Sequence, residues 1–267
     1  MKPTAPFFLL LVSLFAFQAC SVHKANVDDS LERFFKEAAV TGTFTMLNNA
    51  TGEITVYNMA QDTIRQHPGA TLDVLTALIA LQNGVVPDTK TSLIADSITT
   101  PNASKAVNIR EALSNHQVSY FREIITRMGQ PAFKQWIDSI HYGNQLLGKD
   151  GPSAGVEKLR ISPDEQLGFM KRLYFNQLPF RKSVQDTVKQ LMLREDNTLY
   201  RLSYAYSPSA SMSPDAAQWL IGWIEENGHV YFFVTYTRSP QPVSNSEVPL
   251  SITRKILRSY GFFEGNK

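Results

Sequence analysis

Trp219-Leu-Ile-Gly-Trp-Ile-Glu-Glu-Asn-Gly-His-Val-Tyr-Phe-Phe-Val-Thr-Tyr-Thr237 is the stretch that decides the fold. Trp219 to Glu225 and His229 to Thr237 are rich in β-branched and aromatic residues, and Asn227-Gly228 between them supplies the positive φ angles that a two-residue hairpin turn needs. Working outward, Tyr200 to Tyr206 reads as a third strand, joined by the Ser- and Pro-rich loop Ser207 to Pro214. Beyond the hairpin, Leu250 to Tyr260 has the apolar spacing of an amphipathic helix. Near the other end, Gly42 to Asn48 and Glu53 to Tyr57 flank an Asn-Ala-Thr-Gly turn and predict another hairpin. Before it, Ser30 to Val40 places Leu31, Phe34, Phe35 and Ala38 on one helical face.

Between the two β regions the pattern is helical: Ala70 to Asn83, Ile109 to Asn115, Ser119 to Met128, Ala132 to Ile140, Pro163 to Tyr174 and Val184 to Leu193. Ser162-Pro163-Asp164-Glu165 carries a capping serine, a proline in the first turn and a glutamate that closes a capping box. The order predicts an α+β sandwich, an antiparallel sheet flanked by the terminal helices, with an all-helical lobe inserted in it.

The chain has 267 residues, is 43% hydrophobic and carries a formal charge of +2 with no run of Lys or Arg. A buried core is expected, and nothing suggests a nucleic-acid track. Lys2 precedes an apolar run, Pro6 to Phe17, too short to span a bilayer and shaped like the core of a signal peptide. The sole cysteine, Cys20, follows Phe17-Gln18-Ala19, which resembles a relaxed bacterial lipobox. That resemblance implies cleavage before Cys20, acylation of its sulfur and a membrane-held envelope protein. An ordinary secretory signal with an incidental cysteine is the plainer alternative. The expected organisation is a signal peptide over 1–19, an anchored cysteine and tether over 20–28, and one domain over 29–264.

Several phrases, in this order, carry a family resemblance: Gly42-Thr-Phe, Tyr57-Asn58, His67-Pro68, Leu78 to Val86, Phe121-Arg-Glu-Ile124, Tyr142-Gly-Asn144, Ile161 to Gln166, Leu178-Pro-Phe180, Trp219 to Trp223 and Val230 to Phe233. Together they resemble class D β-lactamases and the related penicillin-sensing domains from about Leu31 to Phe262. The resemblance implies a β-lactamase/transpeptidase-like fold and, in active members, β-lactam hydrolysis without a cofactor.

Family members open the central helix with Ser-x-x-Lys, a nucleophile and its base one turn apart. Here the motif falls on Ala70-Thr71-Leu72-Asp73, and neither chemical residue is present. The Ser-x-Val motif becomes His116-Gln117-Val118. Lys-Thr-Gly, which binds the substrate carboxylate, becomes Ala205-Tyr206-Ser207. The arginine expected near the start of the last helix is missing from Val248-Pro249-Leu250-Ser251, with Arg254 a turn later. The loop Gly151 to Glu157 lacks the family's shielding tryptophan, whereas Tyr142-Gly143-Asn144 is retained. Neither Thr71 nor Thr76 has a lysine one turn on.

The resemblance therefore implies a catalytically inactive binding or scaffold module, whose partner would be a peptidoglycan-like fragment or an envelope protein. Its cleft candidates are Thr71, Asp73, His116, Val118, Tyr142, Asn144 and Tyr206. The rival reading is a hydrolase in which Asp73 and His116 pair to serve Thr71 or water as general base. The same two residues could instead satisfy a polar cavity. His67, Asp73 and His116 follow no metal-ligand spacing, and no metal is assigned. Trp219 and Trp223 share a strand face as core or cleft lining. Tyr120, Tyr204 and Tyr206 either line an aromatic cleft or pack the sheet.

Overall fold

The computed structural model describes residues 25–93, 106–149, 155–207, 217–239 and 247–267. The chain enters through β1 (Ala25–Val27), a 3-10 turn and α1 (Glu32–Glu37), then runs through β2 (Thr41–Asn48), β3 (Ile54–Tyr57) and α2 (Met59–Asp62). A 3-10 turn, Gly69–Thr71, leads directly into the central helix α3 (Leu72–Asn83). The helical lobe continues with a two-residue strand pair, β4 (Ser92–Leu93) and β5 (Val107–Asn108), then α4 (Ile109–Ser114), α5 (Val118–Met128), α6 (Gln130–Ser139), α7 (Pro163–Tyr174) and α8 (Lys182–Met192). The sheet is completed by β6 (Leu193–Asp196), β7 (Tyr200–Ser207), β8 (Ala217–Glu226) and β9 (His229–Arg238), and α9 (Val248–Ser259) closes the fold.

Seven strands form one sheet in the order β1-β3-β2-β9-β8-β7-β6. Every pairing is antiparallel except β1 with β3, which is parallel. The sheet is thus mixed rather than purely antiparallel. Residues 25–27, expected to be tether, are its edge strand. Asp28 extends the attachment: its N–H donates to Val56 O (2.8 Å), and its carboxylate accepts from Tyr260 Oη (2.7 Å).

Period-two alternation assigns the two faces of the sheet. Trp219, Ile221, Trp223, Phe232, Val234 and Tyr236 pack against the helical lobe, whose centre is the almost wholly buried α3. Leu220, Ile224, Phe233, Phe44 and Met46 face Leu31 and Phe35 on the N-terminal side and Ile252, Ile256 and Leu257 of α9. Each such aliphatic side chain, fully buried, contributes about 1.5–3 kcal/mol, so the terminal helices are held by packing rather than by helix propensity. Glu226, buried at the end of β8, accepts from the N–H groups of Phe263 and Asn266 (both 2.9 Å) and so satisfies the backbone of the last turn.

The capping box read at Ser162 and Glu165 is present, and α7 spans the predicted residues. The helix predicted to reach Leu193 instead ends at Met192, and Leu193 opens β6. Pairing of β6 with β7 changes register between Leu193 and Glu195, leaving Arg194 as the extra residue of a β-bulge.

Candidate functional site

The turn before α3 is pinned from three sides. Ala70 N–H donates to Ser207 Oγ (2.8 Å), which reaches across from the end of β7. Trp219 Nε1 donates to His67 O (2.9 Å), and Gly69 N–H donates to His67 Nδ1 (3.0 Å). Gly69 adopts φ +56°, and a Cβ there would lie 2.2 Å from Ser207 Oγ, so only glycine permits this closeness. Ala70 supplies a methyl group where the resemblance places the nucleophile. Its amide, which could otherwise hold a negatively charged oxygen, is already satisfied by Ser207.

One turn on, Asp73 is 8% exposed and its Oδ2 has no hydrogen-bond partner. Burial alone holds this carboxyl well above the usual carboxylate range, favouring its neutral form. Thr71 is fully buried, donating to Pro68 O (2.6 Å) and accepting from Gln166 Nε2 (2.8 Å). It therefore lines no open cleft. Thr76 is likewise buried, bonded to Leu72 O (3.1 Å) within its own helix. Tyr142 lies in the same polar cluster. Burial pushes its phenol up, and neither its Oη nor Gln166 Oε1 has a partner of good geometry.

His116 sits at φ 51° just ahead of α5, half-buried, with its ring 3.9 Å from that of Tyr206 in an edge-on arrangement. Its Nε2 has no partner. Burial first, and the Arg194 charge second, push the imidazole down to about 4, so it is neutral at pH 7. The Asp73–His116 pair expected of the hydrolase reading does not form: no hydrogen bond joins the two, and each leaves an orphaned atom. Sequence spacing placed both at the cleft, but neither residue is among the groups whose charge or hydrogen bonds act on the other. Val118, third in the altered motif, is 51% exposed.

Asn144 works as a loop clamp. Its Nδ2 donates to Lys158 O (3.0 Å), and its Oδ1 accepts from Arg160 N (3.0 Å) and Leu146 N (3.2 Å). Gly143 between Tyr142 and Asn144 has φ +57°, and a Cβ would meet Arg160 O at 2.0 Å. The retained Tyr-Gly-Asn phrase thus builds a backbone crossing. Ala205 is buried against the helical lobe. Trp219 and Trp223 are core residues on one strand face. Tyr120 packs in the helical-lobe core, whereas Tyr204 and Tyr206 pack on the α9 side, so the three do not form one aromatic cleft. Arg254 turns away from the site to pair with Glu195. Among the described residues no three His, Cys, Asp or Glu side chains gather as a metal set. Cys20 and the stretch 1–19 expected to be a signal peptide lie outside the described residues.

Sequence reasoning missed Arg194. Its Nη1 donates to Ser114 Oγ (2.9 Å) and its Nε to Tyr204 O (3.3 Å), while Nη2 is buried without a partner. A lone arginine after an amphipathic helix gives no signal, because a bulge is invisible to an alternating pattern. A polar groove of about 250 Å³, lined by Tyr174, Arg201, Glu225 and His229 among others, opens at the other end of β7–β9, away from Ala70.

A two-lobed fold with the turn before α3 seated against β7 and β8 is the plan of the penicillin-recognising proteins. Residues 42–258 match the family model described as the penicillin binding protein transpeptidase domain, and the chain belongs to this family. Beta-lactamase OXA-5 of Pseudomonas aeruginosa is 26% identical over 99% of this chain and 100% of its own length. Regulatory protein BlaR1 of Bacillus licheniformis is 27% identical over 86% of this chain, which spans 39% of that longer protein. Among solved structures, the C-terminal domain of the Bacillus licheniformis BlaR penicillin-receptor aligns with a TM-score of 0.81 at 26% identity, covering 90% of this chain and 97% of that one. A class D β-lactamase from Nostoc aligns at 0.78 and 25% identity, covering 88% and 99%.

Proposed function

We propose that this chain is a catalytically inactive member of its family, an envelope lipoprotein anchored through Cys20 that works as a binding or scaffold module. Its ligand is a peptidoglycan-like fragment or an envelope protein partner. The observation that carries the reading is the closure of the turn by Ser207. A serine hydrolase needs a nucleophile, a base and free N–H donors for the developing oxyanion. Here residue 70 is alanine, its amide is bonded to Ser207 Oγ, and residue 73 is a buried carboxyl that burial biases toward its neutral form. The absence of a hydrogen bond between Asp73 and His116 weighs against the unorthodox hydrolase. A relative described as a penicillin receptor offers a precedent for binding on this scaffold.

The test is incubation of the purified chain with a fluorescent penicillin, together with nitrocefin turnover. Neither a covalent adduct nor turnover is expected, and stable labelling at any residue would overturn the reading. Anchoring is tested by expressing the chain with Cys20→Ala in a bacterial host. The variant is expected to leave the membrane fraction, and its retention there would refute the lipid anchor.

A further inference from the structure

The bulge at Arg194 places a guanidinium on Ser114 at the end of α4, with its charge acting on His116, and three observations show that it lacks a counter-ion among the described residues. First, no carboxylate among the described residues pairs with it; the groups whose charge acts on it are Tyr204, Tyr206 and Arg110. Second, nearby acids are engaged elsewhere. Glu195 pairs with Arg254 and accepts from Tyr200 Oη (2.6 Å), and Glu111 folds back on Asn108 N (3.5 Å). Glu247 raises the Tyr206 phenol through its charge and is not among the groups acting on Arg194. Third, both Arg194 Nη2 and His116 Nε2 are buried atoms with no partner. A desolvated charge with unused donors is costly unless an anion meets it. A planar guanidinium edge fits carboxylate and phosphate oxygens.

We propose that Arg194, with Ser114 and His116, forms an anion-binding site beside the cleft that takes the carboxylate or phosphate group of a ligand. This deepens the binding-module reading and rests on it. Arg194 Nη2 supplies the charged donor, Ser114 fixes the guanidinium through Nη1, and His116 adds a second donor when its Nε2 carries the ring proton. Entry of the anion displaces the His116 ring from Tyr206. The bulge is the device that re-aims the side chain, as bulges beside binding sites do.

The test follows the Arg194 guanidinium and His116 ring resonances of the full chain by NMR during titration with sodium phosphate, sodium acetate, and a short peptide bearing either a free or an amidated C-terminus. A saturable shift of both side chains is expected with at least one anion. Arg194→Gln is expected to weaken it about tenfold or more, the loss of a charged hydrogen bond, and Arg194→Lys by less. If Arg194→Gln does not fold, Arg194→Lys and Ser114→Ala carry the comparison. Response to the free but not the amidated peptide assigns a carboxylate ligand; response to phosphate alone assigns a phosphoryl group. No saturable shift with any probe overturns the site, as does unchanged affinity in every variant. Fluorescent penicillin on the same sample separates the two readings. No adduct and no anion response removes the anion site alone, whereas an adduct removes the non-catalytic reading whatever the anions do.

Discussion

Replacing Asp73 by asparagine is expected to stabilise the protein at neutral pH and to leave it nearly unchanged in acid. The wild-type carboxyl is 8% exposed, unpartnered at Oδ2 and raised by burial well above the 3.8 of an exposed aspartate. Between that value and the raised folded value, the native state holds a proton that the unfolded state has released. Stability therefore falls as pH rises through this window, by at most about 1.4 kcal/mol per pH unit for one group. As pH rises through this window the asparagine variant, which has no proton to lose, should gain on the wild type by no more than about 1.4 kcal/mol per pH unit, or roughly 3–6 °C in Tm per unit for a domain of this size. Asp62, pushed up to about 6 mainly by burial, tilts both proteins alike and cancels in the difference. Urea unfolding of the two at pH 5, 6, 7 and 8 measures the gap directly. A gap that does not widen with pH, or a variant less stable at pH 7, would refute the claim that burial raises the carboxyl of residue 73.

Gly143→Ala should destabilise the fold by more than about 2 kcal/mol, since φ is +57° and the added Cβ would sit 2.0 Å from Arg160 O; urea unfolding within 0.5 kcal/mol of wild type would contradict this. The His116 C2–H resonance should titrate near 4 rather than near 6.5, because burial and the Arg194 charge disfavour the imidazolium; an ordinary midpoint would show the ring to be solvated. Ala70→Ser combined with Asp73→Lys should still fail to acquire a penicillin label, because Ser207 occupies the amide of residue 70 and no lysine or threonine stands at 205 or 206; a labelled band would refute that account.

Much of the fold was legible because each element carried its own local signal. The capping box fixed α7, and Asn227-Gly228 fixed the β8–β9 hairpin. β1 and β6 were not legible. Ala25-Asn-Val27 is only three residues long and Leu193-Arg-Glu-Asp196 is mostly polar, and they become strands through pairing with β3 and β7 rather than through any pattern of their own. The site divides in the same way. The altered residues at 70, 73, 116 and 205–207 could be read from motif spacing, since spacing places residues along an element. Which of them touch depends on side-chain direction. That is why the Asp73–His116 contact failed while the Ser207–Ala70 bond and the Arg194 bulge went unforeseen.

β1 has a mechanical consequence. Three residues run parallel to Ile54–Val56, followed by the Asp28 contacts to Val56 and Tyr260, and among the described residues they are the first attachment of the chain to the sheet edge. A pull applied there loads the short strand lengthwise, in shear, before it reaches the buried Leu31 and Phe35 and then β2. The domain thus meets tension from its N-terminal side at the rim of the sheet before it is felt in the core.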